Sequence, residues 1–154
     1  MTAPNVVAEV NGVPFYDDHT ALSVEAMAAA VRSCARTMIL IAGGGAAPDE
    51  EAAVAGLAPL AVDKVSTVIL LGGDLAAMIR RDWEDVMYID VASMEEAVRT
   101  GYAMAEKGEP VVLSPGCAAG NPFRDAAQRG DEFRDAVRRL ADEIASGRAG
   151  GGGQ

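Results

Sequence analysis

Residues 110–133 read PVVLSPGCAAGNPFRDAAQRGDEF, and the rest of the chain takes its organisation from this stretch. Pro110 opens it, and Val111, Val112 and Leu113 form a short apolar run without polar alternation. A strand covered by helices on both faces has that pattern, whereas a half-solvated strand alternates. Ser114 and Pro115 stop the run. Gly116, Cys117, Ala118, Ala119 and Gly120 are all small, so the backbone there can approach a ligand or another segment closely. Gly130 followed by Asp131 reads as a break and an N-cap, which predicts a helix beginning at Asp131. Loops at the carboxyl ends of parallel strands are where open α/β sheets place ligands. The plainer alternative is a tight loop over the sheet edge.

Upstream, similar runs recur at 37–42 (TMILIA), 65–71 (VSTVILL) and 86–91 (VMYIDV), each followed by glycine or small polar residues. Before them, 5–10 and 13–16 flank Asn11-Gly12, the dipeptide favoured in a type I′ hairpin turn. Helical spacing fills the gaps. Ser23 is placed to cap a helix to about Cys34, with Val24, Met27, Ala28 and Val31 on one face. Pro48 and Asp49 begin a second helix, with Val54, Leu57 and Leu60 inward. Asp74 is expected to cap a short third helix to about Arg80. Ser93 and Glu96 form a capping box for a fourth, running to about Lys107. The last helix is expected from Asp131 to about Ser146, with Phe133, Val137, Leu140 and Ile144 inward. Strands alternating with helices after a hairpin predict an α/β fold, a three-layer sandwich around a mostly parallel sheet. One domain is expected over 1–146, followed by a flexible glycine-rich tail at 147–154.

Composition narrows the function classes. Half of the 154 residues are hydrophobic, enough for a real core. The formal net charge of −10 repels nucleic-acid backbones and anionic membranes, so neither is expected as a partner. No apolar run approaches the roughly 20 residues of a membrane span, and no basic-then-apolar leader opens the chain. The two cysteines, Cys34 and Cys117, show no CxxC spacing, which argues against a metal site or a disulfide framework and fits a reducing cytoplasm. No G-x-x-x-x-G-K-[ST] occurs, so the phosphate cradle of that motif is missing.

Residues 113–133 resemble the L-S-P-x-C-A-S…F…R-G-x-x-F signature near the end of Mur ligases. The matched positions are Leu113, Ser114, Pro115, Cys117, Ala118, Phe123, Arg129, Gly130 and Phe133. The likeness is closest to the type that adds D-glutamate to UDP-N-acetylmuramoyl-alanine. NVVAEVNGVPFYDD at 5–18 resembles the opening of that C-terminal domain, and TMILIAGGG at 37–45 its next strand and glycine-rich loop. The resemblance implies a Rossmann-like fold. It also implies a share in ATP-dependent amide formation through an acyl phosphate, with ATP and Mg²⁺ held by a central domain carrying the missing P-loop. Met1 stands just before the C-terminal domain would begin. The chain is therefore expected to be a free-standing version of that domain. It would hold no cofactor alone and would meet Mg-ATP only through a partner ligase subunit.

At the carboxyl ends of the expected strands stand Asp17, Asp18, His19, Ser114, Cys117, Asn121 and Arg124. His19 is the only histidine, and a histidine beside carboxylates is suited to general-base work. Asp18 and His19 are the expected catalytic pair; the competing reading is a solvated loop. Substrate contacts are expected at Asp17, Thr20, Ser114, Cys117, Ala119, Asn121 and Arg124; the Cys117 thiol is either partly exposed or packed, packing being the preferred reading, and Arg129 is expected to bond carbonyls or a nearby acid. By the resemblance, Asp18 keeps the family aspartate. Thr20 replaces a substrate-contacting lysine, Leu22 a threonine, Ala119 the serine of C-A-S and Ala126 an aromatic residue. Ala46 and Ala47 lie where another lysine would be. A dicarboxylate needs cationic donors, so two acids with little positive charge point instead to a small amine or amino-acid ligand, or to a metal-bridged one. Three readings remain open. They are a ligase domain supplying the acceptor-side surface, a binding or scaffolding module without the chemistry, and a small repurposed enzyme using Asp17, Asp18 and His19.

Overall fold

The computed structural model describes residues 5–46 and 49–147. The expected helix start at Pro48 and the tail beyond Gly147 lie outside the described residues. In chain order the elements are β1 (Asn5–Val10), β2 (Val13–Asp17), α1 (Val24–Ser33), β3 (Met38–Ala42), α2 (Glu51–Lys64), β4 (Val65–Leu70), α3 (Gly73–Asp82), β5 (Met87–Asp90), α4 (Met94–Met104), β6 (Val111–Leu113) and α5 (Ala126–Ala145).

The six strands form one sheet in the order β1-β2-β6-β3-β4-β5. Only the β1–β2 pair is antiparallel; β2, β6, β3, β4 and β5 run parallel. Asn11 (φ 51°) and Gly12 (φ 85°) both take the left-handed conformation that a type I′ turn demands. β6 is central, as its unbroken apolar run requires. Val111 pairs with Phe15 on one side and Ile39 on the other, and all three residues of β6 are fully buried.

Strand alternation divides the core into two halves. Val112, Met38, Leu40, Val68 and Leu70 face α1, α2 and α3. Val111, Leu113, Ile39, Ile41 and Ile69 face α4 and α5. Each such side chain contributes roughly 1.5–3 kcal/mol on burial. The helical faces read from spacing are present: Val24, Met27, Ala28 and Val31 of α1 are buried, as are Phe133, Val137 and Leu140 of α5. Ser23 Oγ accepts from the Ala26 amide, and Ser93 Oγ from the Glu96 amide. The result is the three-layer, mostly parallel α/β sandwich with an N-terminal hairpin.

Three helix starts differ from expectation. α2 begins at Glu51 with Glu50 at its cap, so the described Asp49 precedes it. α5 begins at Ala126, not Asp131: the Asp125 carboxylate caps it by accepting from the Gln128 amide at 2.8 Å. Gly130 therefore lies inside the helix, where its lack of a side chain serves packing rather than punctuation. α3 begins after Gly72 (φ 80°), which leaves Asp74 in its first turn and not at the cap.

Candidate functional site

Because β2, β3 and β6 are parallel neighbours, the loops that follow them emerge at one end of the sheet. Backbone hydrogen bonds stitch these loops together. The Asp18 amide donates to the Leu113 carbonyl (2.8 Å), Gly43 to Pro115 (2.9 Å), Gly116 to Ala21 (2.9 Å) and Gly120 to Gly44 (2.9 Å). A side chain at Gly45 would overlap the Ala118 carbonyl. The small residues of both glycine-rich loops thus let one backbone lie against another. The loops at 17–20, 43–46 and 116–124 therefore lie against one another and form a candidate mouth at this end of the sheet, with Gly43, Gly44, Gly45, Gly116 and Cys117 buried in the contact; Ala47 is outside the described residues.

Its polar centre is built from β2 outward. Asp17 ends β2 and is only 8% exposed. Its Oδ1 accepts the His19 backbone amide at 3.0 Å, and its two oxygens lie 3.0 and 3.1 Å from His19 Nδ1. Its Oδ2 also pairs with Arg134 of α5, which reaches Asp131 as well. Nδ1 is turned to this carboxylate and also lies 3.4 Å from Arg134 Nη1, so Nε2 is the ring nitrogen without a partner among the described residues. The imidazole lies on Gly130, where a Cβ would stand 2.5 Å from His19 Cγ.

Asp18 points to the sheet side. Its Oδ2 accepts from the fully buried Ser114 hydroxyl at 2.8 Å. Burial pushes the Asp18 carboxyl above the usual aspartate value; the Ser114 bond opposes this, the Asp17 charge adds to it and His19 opposes it.

Beneath the loops lies Arg129, fully buried. Its Nη2 donates to the Cys117 carbonyl at 2.6 Å, and Nη1 faces the carbonyls of Gly44 (3.1 Å), Gly43 (3.3 Å) and Ala118 (3.4 Å). Its Nε has no partner. The guanidinium therefore ties the β3 and β6 loops through carbonyls and has no carboxylate partner, and burial lowers its pKa. Cys117 is 1% exposed, so its thiol packs, in line with the packing reading, and is not open to a substrate. Burial pushes this thiol up, with Arg129 opposing, so it stays protonated and packs.

The structure thus brings Asp17, Asp18, His19 and Ser114 together. Thr20, Asn121 and Arg124 sit exposed on the rim, and Ala119 is half-buried. Arg124 is paired with Asp125 at 3.5 Å. Arg134 was missed from the sequence, and it changes the electrostatics: Asp17 is already neutralised, so the mouth is less acidic than the two aspartates suggest. The signal was present, because Arg134 lies one turn after Gly130 and shares its face. Starting the helix at Asp131 hid that relation. Among the described residues, no group of three or more His, Cys, Asp or Glu is arranged to hold a metal ion. Nor is any helix long and apolar enough to cross a membrane.

Comparison with known proteins agrees with the fold. The family model described as "Mur ligase, glutamate ligase domain" matches residues 5–117. UDP-N-acetylmuramoylalanine–D-glutamate ligase of Clostridium botulinum (strain Kyoto / Type A2) is 37% identical over 142 residues, covering 87% of this chain and 30% of the relative. The enzyme of the same name from Burkholderia mallei (strain SAVP1) is 39% identical over 139 residues, covering 88% and 27%. The chain therefore spans under a third of the length of these relatives. Among solved structures, a domain from a putative UDP-N-acetylmuramate:L-alanyl-gamma-D-glutamyl-medo-diaminopimelate ligase of Haemophilus ducreyi superposes with a TM-score of 0.55 at 14% identity, covering 86% of this chain and 98% of that one. MurF ligase from Thermotoga maritima, in complex with ADP, gives 0.56 at 16% identity, covering 90% and 32%. At these identities the structures establish the shared fold.

Proposed function

Since this chain belongs to the Mur ligase glutamate ligase domain family, we propose that it supplies the acceptor-side surface for an ATP-dependent carboxylate–amine ligase whose nucleotide site lies on a partner protein. The observation that carries this reading is the mouth, where three strand-following loops converge on Asp17, Asp18, His19 and Ser114 at the carboxyl ends of the parallel strands. In that role the mouth faces the partner's acyl phosphate. A small amine or amino acid enters between the rim and the Asp18 carboxylate, and His19 Nε2 takes the proton released as the amine attacks. Mg-ATP is met only through the partner. The reading places the protein in the cytoplasm, where ATP is available and where Cys34 and Cys117 remain free thiols.

A scaffolding role is favoured by one observation: both aspartates already have internal partners, Arg134 for Asp17 and Ser114 for Asp18. The test is reconstitution with a ligase protein that keeps its ATP-binding domain and lacks its own C-terminal domain. Amine-dependent phosphate release that needs both proteins, and that falls at least about tenfold in His19→Ala, supports the acceptor role. Complex formation without turnover, unchanged by His19→Ala, selects the scaffold instead.

A further inference from the structure

At the opposite end of the sheet from the mouth, a cavity of about 290 Å3 opens beside the beginnings of β2 and β6. Its lining includes Pro14 and Tyr16 of β2, Pro110 and Val112 at β6, and Cys34 and Arg36 from the segment after α1. The cavity has a structural origin. α1 stops at Ser33 and its C-cap, Cys34, turns to extended backbone (φ −79°, ψ 135°), so the helix does not cover the lower part of the β2–β6 face. Val112 and Pro110 form an apolar floor.

Arg36 sets the chemistry. Every other described arginine except Arg32 has a carboxylate or carbonyl partner; Arg36 has none among the described residues, in a chain of net charge −10. Its guanidinium lies against Gly108 of the cavity wall: a Cβ there would stand 3.0 Å from Arg36 Nη1. An apolar recess with one unpaired cation at its wall is complementary to a small anion with an apolar body.

We propose that this cavity binds a small monocarboxylate carrying one aromatic ring or a branched alkyl group. The carboxylate is held by Arg36, and the apolar body lies against Pro14, Tyr16, Pro110 and Val112. The volume is at the small end of ligand sites, which limits the occupant to about one ring. The site is separate from the mouth and independent of the acceptor reading.

The probe is 3-phenylpropionate, compared with its neutral amide, in amide-resolved NMR titrations of the whole chain. Saturable shifts at Cys34, Arg36 and Gly108, weakened about tenfold or more for the neutral amide and in Arg36→Gln, support the proposal. Arg36 is exposed, so its replacement leaves the fold intact. A second readout is alkylation of Cys34 by iodoacetamide at alkaline pH, where the buried Cys117 stays unmodified and 3-phenylpropionate slows the reaction. No saturable shift up to roughly 10 mM, equal binding of acid and amide, or shifts confined to Asp18 and His19 overturns it.

Discussion

At the scale of single residues, burial decides what each polar group does. Arg129 has no carboxylate partner, yet it is fully enclosed and bridges carbonyls from the β3 and β6 loops. Its role is to tie loops whose own side chains are too small to pack. Arg129→Met removes the fork and leaves buried carbonyls unpaired, so unfolding stability in urea is expected to fall by about 3 kcal/mol. Arg129→Lys is expected to recover little of the loss, because an ammonium cannot span both loops. A loss below about 1 kcal/mol in Arg129→Met would show that the loops hold without it. Asp18 gives a prediction in pH. Its carboxyl is raised, mainly by burial, so between the unfolded and the folded values the folded state keeps a proton that the unfolded chain has released. Protonated Asp18 therefore favours the fold: its contribution is fully present below the unfolded aspartate value and is lost as pH rises through the folded one. Asp18→Asn keeps an acceptor for Ser114 and removes the buried charge. It is expected to unfold later than the wild type at pH 7, with the advantage fading on acidification through the carboxylate range. A constant difference across that range would mean that the charge is not the cause.

Elements show where sequence patterns carry information and where they lose it. β6 was legible because an unbroken run of Val and Leu has only one home in an α/β sheet, the doubly covered centre. The hairpin was legible from Asn11-Gly12, and α1 from Ser23 and its apolar stripe. The start of α5 was not, because glycine has two opposite uses. At Gly130 the absent side chain makes room for the His19 ring, contributed by a loop more than a hundred residues earlier. No local pattern reports a contact of that range. The same misplacement concealed Arg134 and with it the neutralisation of Asp17. The polar mouth was legible in part, since Asp17, Asp18, His19 and Ser114 follow strands whose order the alternation implied. Burial of Cys117 depended on Arg129 folding back beneath the loops, which spacing alone does not show. Two glycines separate the helical cost from the packing role. Gly56 lies inside α2 and a Cβ there meets nothing within 4 Å. Gly56→Ala is expected to raise stability by about 0.5–1 kcal/mol in thermal or urea unfolding. Gly130→Ala makes the same helical gain but pushes on the imidazole, so it is expected to destabilise and to displace His19. Combining it with His19→Ala should restore much of the loss. Equal stabilisation at both positions would remove the packing explanation for Gly130.

On the scale of the whole molecule, the question is whether a fold so close to nucleotide-binding sheets can hold a nucleotide by itself. Such sheets bind phosphate through free backbone N–H groups in a glycine-rich loop and at a helix N-terminus. Here the corresponding amides are occupied. Gly43 donates to Pro115, Gly44 to Gly72, Gly116 to Ala21 and Gly120 to Gly44. The start of α2 carries Glu50 and Glu51, and that of α3 carries Asp74, so acidic side chains stand where a phosphate would need positive potential. The P-loop lysine is missing, and the net charge of −10 repels Mg-ATP at longer range. The loops thus use their hydrogen-bonding capacity to form the mouth. Titration of Mg-ATP into the isolated chain by calorimetry is therefore expected to give no affinity tighter than roughly 1 mM. Under the proposed acceptor role, ATP consumption by a ligase protein carrying a P-loop is expected to depend on this chain without any nucleotide binding to it. Micromolar affinity of the isolated chain would require the glycine-loop amides to exchange their present carbonyl partners for phosphate. That rearrangement would be visible as large shifts at Gly43, Gly44 and Gly120, and it would place the nucleotide chemistry on this domain, against the proposed acceptor role.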